Sequence, residues 1–281
     1  MLKKIKSLAS DKTQRKIRIL NHVSVTDNFV FPQIFLNKIG KKPLIGAQDD
    51  LFSSFIRKFL INYNNIIFPV DRETKKGLVK LMDDTKNYVD AGENVVLYPQ
   101  RHRSRIGETH YDFKRTTFRA IDKLNKENKE TQIIPTSLAH ERVLCIDSLI
   151  TDNPYKFKFE DFSRLIKGVG KSHYHFSDPV SSFEFKDSHE MVEEIGNIIK
   201  NNVPITASNL AATAYLRSDT ANEERIIDSL QRTVDNLKGH WHKFLTTGSA
   251  NEVFERSAVN ERSSEAEIKF YANQIAHYLE K

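Results

Sequence analysis

Apolar and polar positions alternate along residues 16–21 (KIRILN), a pattern that predicts a short strand ending in a polar turn. From Asp27 to about Ile39 the apolar residues fall at helical spacing, with Asp27 placed as an N-cap. Residues 49–62 (DDLFSSFIRKFLIN) read as an amphipathic helix opened by Asp49 and Asp50. Compact apolar runs at Ile66–Val70 and Val95–Tyr98 predict buried strands on either side of a helix over 73–91 that stops at Gly92. A basic helix follows over 113–126, then a third apolar strand over Gln132–Ser137, closed by Pro135. Strict alternation at 155–160 (YKFKFE) and 173–185 predicts antiparallel edge strands.

Strands alternating with helices of about a dozen residues specify an α/β fold, a mixed central sheet flanked by helices. After Phe185 the pattern becomes helical, over 187–202, 206–217, 221–238 and 263–280, with Thr206 or Ser208 and Ser263 as caps. The chain is thus expected to divide near Lys186 into an α/β part, 1–186, and a C-terminal helical extension, 187–281.

Composition narrows this picture only slightly. With 39% hydrophobic and 28% charged residues, the 281-residue chain can build a packed core and does not read as disordered. Its formal charge of +6 suits an anionic substrate, an acidic carrier protein or an anionic membrane surface, and equally nucleic acid. No apolar stretch approaches the ~20 residues that span a bilayer. The single cysteine, Cys145, excludes an internal disulfide and fits a reducing compartment. These features predict a soluble cytoplasmic protein. The N-terminal Leu2, Ile5 and Leu8, interleaved with Lys3, Lys4 and Lys6, read either as a contact with an anionic membrane or as a frayed basic terminus.

Four strand ends carry candidate chemistry. In NHVSVTD, His22 and Asp27 stand five positions apart at a strand-to-helix junction. A carboxylate that accepts one ring proton of an imidazole fixes its tautomer and prepares the other nitrogen as a general base. Taken alone the pair is weak, since a turn histidine beside an N-cap aspartate has the same spacing. In VVLYPQRHRSRIG, a buried strand runs into Pro99 and then Arg101, Arg103 and Arg105, ending at Gly107. Guanidinium groups at a strand end make a phosphate clamp, because each can bind phosphate in bidentate fashion. IIFPVDRE delivers Asp71 and Arg72, and IIPTSLAHERV carries Pro135 inside a strand. In open α/β sheets ligands bind beyond the carboxyl ends of the strands, so these four ends are expected to converge.

The order of these motifs resembles the glycerolipid acyltransferase family. That family carries His-x4-Asp, an apolar strand ending in Arg, then Phe-Pro-Glu-Gly-Thr-Arg-Ser-Arg, then a strand with a central Pro. Here the matches run from His22 to Asp27, Ile66 to Arg72, Tyr98 to Arg105 and Ile133 to Ser137. FKRTTFRAI looks like the helix after the arginine loop, and VPITASNLAATAYL looks like the helical tail of the glycerol-3-phosphate acyltransferases. The chain departs from the pattern at Gln100-Arg101-His102, where the family has Glu-Gly-Thr, and carries an apparent extra residue with Pro69 in the second block.

The resemblance implies an acyltransferase that moves a fatty acyl chain from acyl-CoA or acyl carrier protein to glycerol 3-phosphate. His22 is then the base, Asp27 its partner, and Arg72, Arg103 and Arg105 the phosphate ligands. Gln100, Ser104 and Gly107 support the loop. No metal and no further cofactor is implied, because a thioester is already activated. A lysophosphatidate acyltransferase, or a non-catalytic relative that binds an acyl carrier or lipid, is the alternative.

Other motifs carry less. GVGKS at 168–172 lacks the first glycine of a P-loop, which would fall at Leu165. The pairs His173/His175 and His240/His242 have no carboxylate or cysteine at ligand spacing, so no metal site is expected. KFKFE interleaves aromatic and basic residues, but edge-strand alternation accounts for it and no nucleic-acid partner is expected.

Overall fold

The computed structural model describes residues 15–23, 27, 43–48, 67–70, 74–100, 107, 113–143, 146, 150, 171–218, 222–237, 249–260 and 262–279. Among these, seven strands form one mixed sheet. Its strands are β1 (Lys16–Leu20), β2 (Leu44–Gln48), β3 (Ile67–Val70), β4 (Val95–Leu97), β5 (Gln132–His140), β6 (Ser172–Phe176) and β7 (Val180–Ser181). The order is β3-β2-β4-β1-β5-β6, with β7 pairing β5 beside β6. The first five are mutually parallel, while β6 and β7 run antiparallel to β5. The α/β fold with a mixed central sheet is therefore as expected.

β1 lies at the centre of the sheet, between β4 and β5, where even Lys16 and Arg18 are buried. Every residue of KIRIL is buried, as a parallel strand covered on both faces requires. Ile17 and Ile19 join Val95, Leu97 and Ile133 in the main core. Helices α1 (Lys75–Asp90) and α2 (Arg115–Lys126) pack on this face. Thr74 opens α1 by accepting a hydrogen bond from the Gly77 N–H at 3.0 Å. The basic helix α2 buries Phe118, Ile121 and Leu124 and turns its lysines outward, with Lys123 pairing Asp83 of α1 at 3.0 Å.

Pro135 does not close its strand, contrary to expectation, because it sits where its missing N–H costs nothing in the ladder. On one side it lies opposite Ile19 of β1. On the other, β7 pairs Gln132 and Ile133, β6 pairs Thr136 to His140, and Pro135 falls between them. Its carbonyl is used there, accepting from the Ser177 N–H at 3.0 Å. β5 thereby reaches His140. Pro69 lies in β3, at the end of the sheet order, where a proline is tolerated. The alternation predicted over 173–185 resolves into β6, β7 and a turn of 3₁₀ helix over Ser182–Glu184.

The C-terminal part contributes α3 (Ser188–Lys200), α4 (Ala207–Arg217), α5 (Glu223–Asn236), α6 (Ala250–Arg256), α7 (Glu265–Asn273) and α8 (Ala276–Leu279). α3 buries Met191, Ile195 and Ile199 in the core of the sheet. Thr206, not Ser208, caps α4 through a reciprocal pair with Asn209. Ser264, rather than Ser263, caps α7, and the helix predicted over 263–280 breaks at Gln274 and Ile275. α4 is the hub of this part. Leu210 and Ala214 pack with Ile226, Leu230, Val253 and Tyr278. The helix predicted over 49–62 and the strand over 155–160 lie outside the described residues, as does the helix after Asp27. Asp27 itself is helical, not an N-cap. No helix of the described residues is long and apolar enough to cross a membrane.

Candidate active site

The carboxyl ends of β1, β4 and β5 deliver the site. β1 runs into Asn21 and His22, β4 into Tyr98, Pro99 and Gln100, and β5 ends at His140. Asn21 ties two of these ends together. Its side chain donates to the Leu138 carbonyl at 2.9 Å and accepts from the Leu138 N–H at 2.7 Å. That pair of hydrogen bonds fixes the departure of the chain from β1, and so the direction in which His22 leaves.

His22 Nδ1 lies 2.8 Å from Asp27 Oδ2, which also accepts from the Val23 N–H at 2.8 Å. A carboxylate only accepts, so Nδ1 carries the proton and Nε2 carries the lone pair. The spacing of five places the carboxylate under the strand end, facing back along the chain. Asp27 is fully buried, and His22 retains 13% of its side-chain exposure, enough to meet a substrate.

Three further side chains complete the arrangement. Gln100 Oε1 accepts from the His22 backbone N–H, the Tyr98 hydroxyl donates to the Asp27 carbonyl at 3.1 Å, and the Tyr98 ring lies 4.9 Å from the His22 ring. Burial, with the nearby Asp27 charge, pushes the Tyr98 hydroxyl well above its ordinary pKa, so it stays a donor. On the far side of Asp27, His140 Nε2 is 2.5 Å from Oδ1, and His140 Nδ1 is 2.7 Å from Ser172 Oγ. Burial alone would raise the Asp27 carboxyl. The electrostatic pull of His140 and hydrogen bonds from His140 and His22 outweigh it and hold the carboxyl well below the usual carboxylate range.

The structure thus brings together His22, Asp27 and Gln100. Gly107 stands at the end of the arginine loop with φ +75°, and a Cβ there would fall 1.8 Å from the Phe270 carbonyl oxygen of α7. The stem of that loop is closed by a bridge between Gln100 and Phe113 and by the Lys114 N–H on the Pro99 carbonyl at 2.8 Å. Arg72, Arg103, Ser104 and Arg105 lie outside the described residues.

His140 and Ser172 were not singled out by the sequence. His140 stands 113 positions from Asp27, so no local pattern links them. Only its place at the end of a strand that bears a motif hinted at a role. Helices of the C-terminal part back the site. The Val143 N–H donates to the Tyr271 hydroxyl at 2.9 Å, and Val23 packs against the cluster of Phe270, Tyr271 and Val259. Asn209 of α4 holds the Tyr271 carbonyl at 2.8 Å. His173 lies 3.4 Å from Glu141, and His240 and His242 lie outside the described residues. Among the described residues, no group of three or more His, Cys, Asp or Glu has the geometry to hold a metal ion.

Among solved structures, the chain is similar to the 1-acyl-sn-glycerophosphate (LPA) acyltransferase PlsC from Thermotoga maritima. Identity is 18% and the TM-score 0.43, over 70% of this chain and 76% of that one. No curated protein matches the chain. Residues 4–139 match the model of the Acyltransferase family, and this stretch carries His22, Asp27, Gln100 and the arginine loop.

Proposed function

We propose that the protein is an O-acyltransferase that moves a fatty acyl chain from a thioester donor, acyl-CoA or acyl carrier protein, to a hydroxyl of a glycerophosphate. One observation carries this reading: His22 Nδ1 is bound at 2.8 Å by a fully buried Asp27, at the carboxyl end of a central parallel strand. This orientation makes Nε2 the general base.

The acceptor hydroxyl gives its proton to His22 Nε2 as its oxygen attacks the thioester carbonyl. The tetrahedral intermediate collapses by breaking the carbon–sulfur bond. The leaving thiolate takes the proton back from the imidazolium, so the base is restored. Asp27 stabilises the imidazolium throughout without itself becoming protonated. Arg72, Arg103 and Arg105 are proposed to hold the acceptor phosphate, for which guanidinium geometry is suited.

Lysophosphatidate and glycerol 3-phosphate share the phosphate and differ in the acyl chain of the first, and both are carried as acceptors. The non-catalytic alternative rests on Gln100-Arg101-His102 standing where the family has Glu-Gly-Thr. The Gln100 amide oxygen takes the His22 N–H, a hydrogen bond that needs no charge, so the Gln100 part of that departure is compatible with the catalytic reading.

The test is thiol release from acyl-CoA and acyl carrier protein, with either acceptor, beside His22→Ala. Glycerophosphate-dependent release is expected to fall by the general-base factor, ~10²–10⁴. No release from any pairing, or an undiminished rate in the variant, would overturn the reading.

A further inference from the structure

The carboxylate that orients the base is gripped from both sides, and only one grip belongs to the base. Asp27 Oδ2 receives the His22 ring and the Val23 N–H, while Oδ1 faces His140 Nε2 at 2.5 Å. Because the carboxylate only accepts, His140 must present its Nε2–H, and its Nδ1 meets the Ser172 hydroxyl at 2.7 Å. Four side chains therefore form one line, Ser172 to His140 to Asp27 to His22. It runs from the antiparallel strand β6, across the end of β5, to the catalytic edge.

A histidine that merely fills a core has no need of this arrangement. His140 and Asp27 are both fully buried, and an imidazole there brings a desolvation cost that an aliphatic residue avoids. Here both ring nitrogens are occupied, and one of them meets the carboxylate of the base. The pairing of His140 with Ser172 in the ladder between β5 and β6 sets the two side chains in register. With donors on Oδ2 alone, the carboxylate could turn about its Cβ–Cγ bond. A donor on Oδ1 fixes its plane, and so the line from Oδ2 to His22 Nδ1.

We propose that His140 is a positioning residue for the catalytic base, holding Asp27 in the plane that aligns His22, and that Ser172 sets the ring of His140. The kinetic arm of its test rests on the acyltransferase reading above; the spectroscopic arm does not.

The variants are His140→Leu, which removes the donor, His140→Gln, whose side-chain N–H can still reach Oδ1, and Ser172→Ala. Two quantities are read: kcat and KM for donor and acceptor, and the low-field proton resonance of the His22 Nδ1–H, assigned by its loss in His22→Ala. His140→Leu is expected to lower kcat ~10–100-fold, the size seen when a partner that orients a functional imidazole is removed. KM stays nearly constant and the low-field resonance moves or broadens. His140→Gln restores most of both.

The proposal is overturned by a wild-type kcat and an unmoved resonance in His140→Leu, or by a His140→Gln enzyme as damaged as His140→Leu. Should His140→Leu fail to fold, Ser172→Ala carries the test, because it frees the ring while keeping the strand. A resonance unchanged there overturns the proposal, and one that broadens supports it. If the wild-type protein releases no thiol with any acceptor, the acyltransferase reading fails while the resonance still decides the role of His140.

Discussion

Replacing Gly107 with alanine tests the joint between the arginine loop and the C-terminal helices. The residue sits at φ +75°, a conformation that costs a non-glycine residue about 1–2 kcal/mol. The added Cβ would lie 1.8 Å from the Phe270 oxygen, 2.7 Å from its carbonyl carbon and 3.0 Å from its Cα. All three are backbone atoms, so no side chain can swing aside, and either the loop or α7 must shift. Overpacking of that kind costs about 1–3 kcal/mol, bringing the expected loss to about 2–5 kcal/mol. At about 2–4 °C for each kcal/mol, Tm should fall by about 4–20 °C. Gly196→Ala is the control. It lies inside α3, and its Cβ would meet the Phe113 ring at 3.7 Å, an ordinary contact. The same substitution there should stabilise by about 0.5–1 kcal/mol, because a mid-helix glycine is replaced without a clash. Thermal unfolding of the two variants beside wild type gives opposite signs if the close approach is real. A Gly107→Ala protein that melts with wild type would refute the reasoning.

Asp27→Asn should change the acid limb of stability. The folded carboxyl titrates below the ordinary aspartate value of ~3.9, so as pH falls past that value the unfolded chain takes up a proton the folded chain refuses. The contribution of Asp27 is thus complete above pH ~4 and lost below it. The gap in urea midpoint between wild type and variant should narrow as pH drops from ~5 to ~3, and a constant gap would contradict this. Glu141→Gln should destabilise by about 1–3 kcal/mol in urea unfolding. Its buried carboxylate meets Arg256 Nη2 and the Lys171 N–H, both at 3.2 Å, and His173 Nε2 at 3.4 Å. Gln100→Glu should keep thiol release within a few-fold of wild type, since either side chain offers an oxygen to the His22 N–H. Gln100→Leu should lower it and cost about 1–3 kcal/mol of stability for the unsatisfied donor.

Much of the sheet was legible where local chemistry and tertiary demand agreed. β1 announced itself by alternation, β4 as an apolar run, and α1 as a helix stopped by Gly92. β2 was missed because LIGAQ holds only two large apolar residues and a glycine; its neighbours, β3 and β4, make it a strand. Pro135 was read as a terminator because nothing local shows that β6 and β7 leave a gap opposite it. α6, with seven residues, was too short for periodicity to register. At the site, His22 and Asp27 were legible because their spacing is local. His140 was not, because what gives it meaning is a register between strands rather than a motif.

The close approach at Gly107 has a consequence for how loss of function would map onto the chain. A selection for inactive clones from a random library would return substitutions in 265–273, a stretch that holds none of the assigned site residues. Those alleles would look like folding lesions in a separate module. Suppressors would tell otherwise. A second change that restores the seat of Phe270 would recover function without touching His22, and its position would trace the boundary of the site through helices that lie beyond the family match.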